Sequence, residues 1–329
     1  MVSQGCNTIY IPKTLMEAIR YYSDEQICID AVAALRWPNG KPVCPKCGTA
    51  EGERKHYWLA AQRRWKCYSC RKQFSVKVDS VFEDSPLGLD KWMVALWMLC
   101  NCKNGVSSHE ISRELGIAQQ HAWHMLHRLR IALQLPDGGK LGGIVEADEC
   151  FVGGKISNMH QSKRAQLGGK TRGTKGKAVV IGMVERGGRV RAHVAVDRSQ
   201  QTIRPLIAAN VARGATLVSD EWGGYVGSAP LHQVINHAVE YVNGHTHTNS
   251  IENFWSLLRR TLGGTYVSCE PIHLQQYIHE QVFRFNLRSR KDERITNAGR
   301  FALALTDVAG KRLTWKELTG KEGGSGLPF

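Results

Sequence analysis

Hydrophobic and polar positions switch between a helical period and a period of two along the chain. Residues 14–22 read as a short helix after Pro12. Residues 24–35 read as a second helix, with Ser23 and Gln26 at capping-box spacing. Trp37-Pro38-Asn39-Gly40 then breaks the pattern. Helical spacing returns at residues 89–102 through Trp92, Leu96, Trp97 and Leu99. Residues 107–117 hold a helix, a turn at Gly116 and a restart, and a further helix is predicted over about 118–133.

After the break at residues 136–143 the period shortens to two. Residues 144–152, 178–185 and 189–196 predict strands, the last two joined as a hairpin at Gly187-Gly188. Residues 199–211 read as a helix with Ile203, Leu206 and Ile207 inward, and 215–219 as a strand. After a short segment at 233–237, helical spacing resumes at Ile251, Phe254, Trp255 and Leu258, with Ser250 as the candidate cap. It recurs over 272–286, while 320–329 is Gly-rich and expected to fray.

Composition narrows the partners. Lys plus Arg number 44 against 29 Asp plus Glu, a net charge of +15. An excess of this size suits a polyanion, foremost nucleic acid. No apolar run approaches the roughly 20 residues that span a bilayer, and residues 1–10 lack the basic and apolar segments of a signal peptide. A cytoplasmic protein is expected, with no membrane partner. In a reducing compartment the ten cysteines do not imply a disulfide framework.

Four of those cysteines carry chemistry. Cys44-Pro45-Lys46-Cys47 and Cys67-Tyr68-Ser69-Cys70 are two CxxC knuckles separated by nineteen residues. Each knuckle aims two thiolates at one point, and two knuckles make a closed tetrahedral site for a structural Zn²⁺. Around them basic residues (Arg63, Arg64, Lys66, Arg71, Lys72) alternate with Tyr57, Trp58, Trp65 and Tyr68. That mixture suits phosphate and base contacts and also suits the ribbon's own small core. The helix–Gly116–helix region resembles a helix-turn-helix, whose second helix would offer His121, His124 and Arg128 to DNA; a plain helical hairpin is the other reading.

The strand at 144–152 carries Glu146, Asp148 and Glu149, although carboxylates are poor strand formers. Such a local conflict is expected at functional sites. Alternation puts Glu146, Asp148 and Cys150 on one face and Glu149 on the other. Asp220 lies at the end of the strand at 215–219, and Glu252 opens the helix that follows. Strand with acid, strand, strand, helix, strand with acid is the order of the ribonuclease H-like fold. In it Asp148 and Asp220 lie side by side, and a third acid arrives from a helix. Three carboxylates suit Mg²⁺, with Mn²⁺ as a substitute, in a two-metal phosphodiester chemistry. Residues 153–177 form a Gly-rich basic loop with Lys155, Lys170 and Arg172. Gly169-Lys170-Thr171 imitates a nucleotide-binding loop, but position 164 is Arg and no helix follows, so no nucleotide cofactor is expected.

Four motifs together resemble the IS1595 family of insertion-sequence transposases, the group with the ISXO2-like transposase domain. They are Trp37-Pro38-Asn39-Gly40 with Cys44-Pro45-Lys46-Cys47; Asp148-Glu149 with Val152-Gly153-Gly154-Lys155; Ser219-Asp220-Glu221-Trp222; and His247-Thr248-Asn249 with Glu252-Asn253-Phe254-Trp255-Ser256-Leu257-Leu258-Arg259-Arg260. The resemblance implies a DDE-type enzyme that cleaves double-stranded DNA at terminal inverted repeats and joins the ends to target DNA, as a homo-oligomer on DNA. Carried over, Asp148 and Asp220 are the first two catalytic acids and Glu252 the third. The family varies at the third position, so Asn249 competes with Glu252. Arg259 and Arg260 would position phosphates. The expected architecture is α/β: a helical lead (1–40), a zinc ribbon (41–85), a helical helix-turn-helix-like region (86–136), a ribonuclease H-like mixed-sheet catalytic domain (141–290) and a C-terminal tail (291–329). A nuclease or junction resolvase of the same fold, a zinc-ribbon transcription regulator and an inactive derivative are the competing readings.

Overall fold

The computed structural model describes residues 9–52, 54–134, 138–154, 161, 165, 174, 176–235, 247–289 and 295–320. Most of the basic loop and the last nine residues lie outside them. The chain forms two compact units, one holding the residues up to Gln134 together with Leu287–Lys321, the other Leu135–Asn286. No helix among the described residues is long and apolar enough to cross a membrane.

The first unit opens with α1 (Leu15–Tyr21) and α2 (Glu25–Arg36). The cap of α2 is Asp24, whose side chain accepts from Gln26 N, rather than Ser23. A small antiparallel sheet follows: β1 (Tyr57–Leu59), β2 (Arg64–Lys66) and β3 (Gln73–Phe74). Its aromatic side chains pack on one another, with Trp65 against Trp58 at 4.5 Å and against Phe74 at 5.9 Å between ring centroids.

Helix α3 (Leu89–Asn101) is apolar on nearly every face and is buried accordingly. Then α4 (Ser108–Leu115) starts in a Ser107–Glu110 capping box. It ends at Gly116, whose left-handed φ of 59° turns the chain into α5 (Gln119–Ile131). The helix, Gly116 turn and helix thus follow one another in the order read from the sequence. Residues 295–320 contain α9 (Asn297–Thr306) and α10 (Trp315–Leu318), and Phe301, Ala304 and Leu305 of α9 are buried in the first unit.

The second unit is built on a mixed five-stranded sheet. Its strands are β4 (Ile144–Val152), β5 (Ala178–Glu185), β6 (Val190–Ala195), β7 (Thr216–Asp220) and β8 (Leu231–Ile235), in the order β6-β5-β4-β7-β8. β5 is antiparallel to β4 and β6, whereas β7 runs parallel to both β4 and β8. α6 (Gln200–Asn210) covers one face through Ile203 and Ile207, which meet Val145, Ala147, Ile181, Met183 and Leu217. α7 (Asn249–Arg260) and α8 (Pro271–Asn286) cover the other through Ile251, Phe254, Trp255, Leu258, Leu274 and Ile278 on Cys150, Val180 and Val184. The period-two split of β4 therefore reads directly as α6 face against α7 face.

Candidate active site

β4 and β7 bring the first two acids together. Their parallel register pairs Ile144 with Thr216 and Glu146 with Val218. The same offset carried two residues on sets Asp148 beside Asp220. Carboxylate oxygens of Asp148, Glu149 and Asp220 all come within 4.8 Å of one another. Burial, reinforced by the neighbouring Glu149 and Asp220 charges, pushes the Asp148 carboxyl up to about 6. Glu149 is raised as well, again chiefly by burial, and its bond to Arg198 counteracts part of that shift. Like charges held at this separation in a half-buried site favour a cation. A hard, oxygen-seeking divalent ion such as Mg²⁺ fits the donor set.

Glu149 departs from the expectation that alternation turns it away. It does lie on the α6 side of β4, where Oε1 accepts from Arg198 Nη1 at 3.1 Å and Oε2 from the Tyr225 hydroxyl at 3.2 Å. The carboxylate nevertheless reaches the acid group, because Asp148 is close to the end of the β4–β7 pairing, where two faces of the strand open onto one edge. Glu252 does not join that group. It is exposed in the first turn of α7, with Oε1 accepting from Thr248 Oγ1 at 3.0 Å. Asn249, also exposed, is the first residue of the same helix.

α7 is fixed to the acids by groups that sequence reasoning left without a role. Trp255 Nε1 donates to Asp148 Oδ2 at 2.9 Å. The ring lies over Gly182, the residue paired with Asp148 on β5. A Cβ there would stand 2.6 Å from Trp255 Cη2 and Cζ2. A glycine inside an apolar strand marks such a close approach, and this was the available signal. At the head of the helix Ser250 is not the cap. Thr248 occupies that position without a side-chain cap bond, and Ser250 Oγ instead donates to Glu146 of β4 at 3.1 Å.

Beyond Asp220 the chain turns through Trp222, whose backbone N–H donates to Asp220 Oδ1 at 3.1 Å. Its indole N–H donates to Arg198 O at 3.1 Å, and the Arg198 guanidinium lies 3.7 Å from the ring centroid. Arg198 thus presents a cation beside the three carboxylates. Nothing in its local sequence, a loop after β6, distinguishes it from an ordinary surface arginine.

In the ribbon, Cys44 and Cys70 Sγ are 3.8 Å apart, and Cys47 and Cys67 Sγ are 3.7 Å apart. Four sulfurs at about 2.3 Å from a tetrahedral zinc stand about 3.8 Å from one another, so the four thiols fit Zn²⁺ as they lie. The two knuckles repeat one turn. Gly48 N bonds Cys44 O at 2.8 Å and Arg71 N bonds Cys67 O at 3.1 Å, with φ of 72° and 62° respectively. Arg71 therefore holds a left-handed position that glycine fills more easily.

The candidate DNA contacts differ in exposure. Arg64, Arg71, Lys72, His121, Arg259 and Arg260 are exposed, and Lys66 is half-buried. Arg63 is exposed but ion-paired with Glu25. Arg128 and His124 are not free side chains. Arg128 is 5% exposed, donates to Glu83 O and lies over the Trp92 ring at 5.1 Å. Half-buried His124 packs edge-on to Trp315 at 5.4 Å. Residues 125–130 of α5 are all buried, so the polar residues among them line an interior rather than a groove-facing surface; tertiary packing overrides the helical pattern there. Lys155, Lys170 and Arg172 lie outside the described residues.

Residues 140–286 match the ISXO2-like transposase domain, and residues 23–73 match the transposase zinc-ribbon domain. A protein of Halobacterium salinarum described as an uncharacterized protein in transposable element ISH50 is 29% identical over 262 residues, covering 75% of this chain and 86% of the relative.

Proposed function

Because the chain belongs to the IS1595 transposase family, through both its zinc ribbon and its ISXO2-like domain, we propose that it cleaves DNA at the terminal inverted repeats of an insertion sequence and joins the 3′ ends to target DNA. The observation that carries this reading is the side-by-side placing of Asp148 and Asp220 on adjacent parallel strands. The strand order and the positions of α6 and α7 agree with a ribonuclease H-like fold.

Asp148, Asp220 and Glu252 would hold Mg²⁺ or Mn²⁺, with Asn249 as the competitor for the third place. Bound there, the metal supplies Lewis acidity to the attacking and leaving oxygens of a phosphodiester. Trp255 orients Asp148 through its N–H, and the apolar residues of α7 hold that indole rigid. Arg198 offers a cation at the edge of the acid group, where an incoming phosphate would exchange with Glu149 as its partner. In the first reaction a water oxygen attacks phosphorus and the 3′ oxygen leaves. In the second, the freed 3′ hydroxyl attacks a target phosphodiester and displaces its 3′ oxygen.

The four cysteines would hold a structural Zn²⁺, leaving no open position for catalysis. The ribbon's Arg64, Lys66, Arg71 and Lys72, with Arg63, and the exposed head of α5 at His121 are the proposed end-binding surface; Arg259 and Arg260 would meet phosphates. A homo-oligomer on double-stranded DNA is the proposed working form.

The test is an in vitro reaction on DNA carrying the element's ends with Mg²⁺. Wild-type protein is expected to nick at the ends and to join a pre-cut 3′ end to a second duplex, and Asp148→Asn or Asp220→Asn to do neither. Nicking without joining would indicate a nuclease or resolvase of the same fold. Unimpaired sequence-specific DNA binding with no nicking by the wild type would point to a regulator.

A further inference from the structure

Glu146 is the first of the three acids of β4, and the reaction proposed above leaves it without a role. We propose that it is a positioning residue: its carboxylate caps α7 from the neighbouring strand and so sets the reach of Trp255 to Asp148. The inference rests on Asp148 being part of the reactive site.

The side chain is fully buried. Oε2 accepts from the backbone N–H of Ser250 at 2.7 Å and of Ile251 at 3.1 Å. Oε1 accepts from Ser250 Oγ at 3.1 Å and from Arg186 Nε at 2.9 Å, with His247 Nδ1 at 3.3 Å. The first-turn N–H groups of a helix lack intrahelical partners, and the helix dipole favours an anion beside them. In most helices the preceding side chain supplies that acceptor. Here Thr248 occupies the cap without such a bond, and its hydroxyl is turned to Glu252. The cap is delivered across space from residue 146.

Two fixed points then define where α7 lies along β4. Glu146 holds Ser250, and Asp148 accepts from Trp255. Five helical residues rise about 7.5 Å, and two strand residues advance about 6.7 Å, so the two elements stay in step between these contacts. Advancing α7 by one residue moves it about 1.5 Å and turns it by about 100°, which would carry the indole N–H away from Asp148. Glu146 is fully buried, whereas Asp148, Glu149 and Asp220 are only half-buried, which separates it from the acids that face the open edge of the site.

The test uses full-length protein with 5-fluorotryptophan incorporated. The Trp255 ¹⁹F resonance is assigned by its loss in Trp255→Phe. Glu146→Ala is expected to shift that resonance without DNA, and to raise the Mg²⁺ concentration for half-maximal cleavage by about tenfold, the lower end of the loss usual for a partner that orients a ligand. Glu146→Gln keeps the shape and an acceptor for the helix N–H groups but sets an amide against Arg186. It should fall between wild type and Glu146→Ala, and it decides the matter should the alanine variant fail to fold. An unchanged Trp255 resonance in Glu146→Gln and Glu146→Ala overturns the proposal. So does a Glu146→Gln protein that, like Asp148→Asn, is dead at every Mg²⁺ concentration, since that marks a metal ligand. Should the wild type leave end DNA uncut, the reading of the reaction falls, while the DNA-free spectrum still tests Glu146.

Discussion

The indole N–H of Trp255 on α7 donates a 2.9 Å hydrogen bond to Asp148 Oδ2 on β4, tying the helix to the acid it approaches. A hydrogen bond to a charged group contributes about 1.5–3 kcal/mol. Trp255→Phe removes the donor and leaves an aromatic ring in the core. Cleavage is expected to drop by about 10- to 100-fold, since each 1.4 kcal/mol is a factor of ten. Initial rates across a Mg²⁺ titration check this. Wild-type rates at all concentrations would mean that the bond does not orient the acid.

Gly182 makes that bond possible from the other side. A methyl at this position would stand 2.6 Å from two atoms of the Trp255 ring and 2.8 Å from Ile251 Cδ1. Gly182→Ala is therefore expected to destabilise the second unit by about 1–3 kcal/mol, the usual cost of overpacking a core, and to reduce cleavage as Trp255→Phe does. Because both act on one ring, the double variant should lose less than the sum of the two single losses. Denaturant midpoints and cleavage rates measure both. Strict additivity would show that Gly182 is conserving something other than the seat of Trp255.

The alternation of β4 was legible because each face packs on a different helix, so Val145 and Ala147 met α6 and Asp148 and Cys150 met α7 as periodicity dictates. Asp220 was legible because a polar residue ends an apolar strand. Glu149 was not, since alternation describes the direction of Cβ and not how far a flexible carboxylate swings at an open edge. Arg128 misled for the opposite reason. Its charge argued for DNA, yet the side chain is buried inside the first unit, over the Trp92 ring and donating to a backbone carbonyl. The capping of α7 by Glu146 joins residues a hundred positions apart, which no local pattern encodes.

His124 supplies a pH prediction for the first unit. Burial against Trp315 holds its imidazole below the ordinary histidine range, and the nearby Arg128 and His121 add to the depression, which a backbone bond at Leu313 partly counteracts. The folded protein therefore binds its proton less readily than the unfolded chain. Stability from this group is complete above the unfolded value of about 6.5 and declines as pH falls below it. Urea midpoints of wild type are expected to fall between pH 7.5 and 5 more than those of His124→Gln. Parallel acid sensitivity in the two proteins would show that His124 does not contribute to it.

The third acid is the sharpest test of the site. Asp148, Glu149 and Asp220 already form a group, whereas Glu252 is exposed and bonded to Thr248 Oγ1. Glu149 is committed to two donors on the α6 side, Arg198 and Tyr225, and both would have to be given up for it to face a metal with both oxygens. Glu252 has only a hydroxyl to release, and it stands on the helix that Glu146 and Trp255 fix beside Asp148. Glu252→Gln is accordingly expected to cost cleavage about 10²-fold or more, the order found when one preorganised electrostatic group is removed from a site. Glu149→Gln should cost about tenfold through the loosened Arg198, in the range for a group that orients others, and Asn249→Ala should stay near wild type. Single-turnover cleavage in Mg²⁺ and in Mn²⁺ ranks the three. Loss confined to Glu149→Gln, with Glu252→Gln fully active, would move the third ligand onto β4, and loss confined to Asn249→Ala would move it to the first residue of α7.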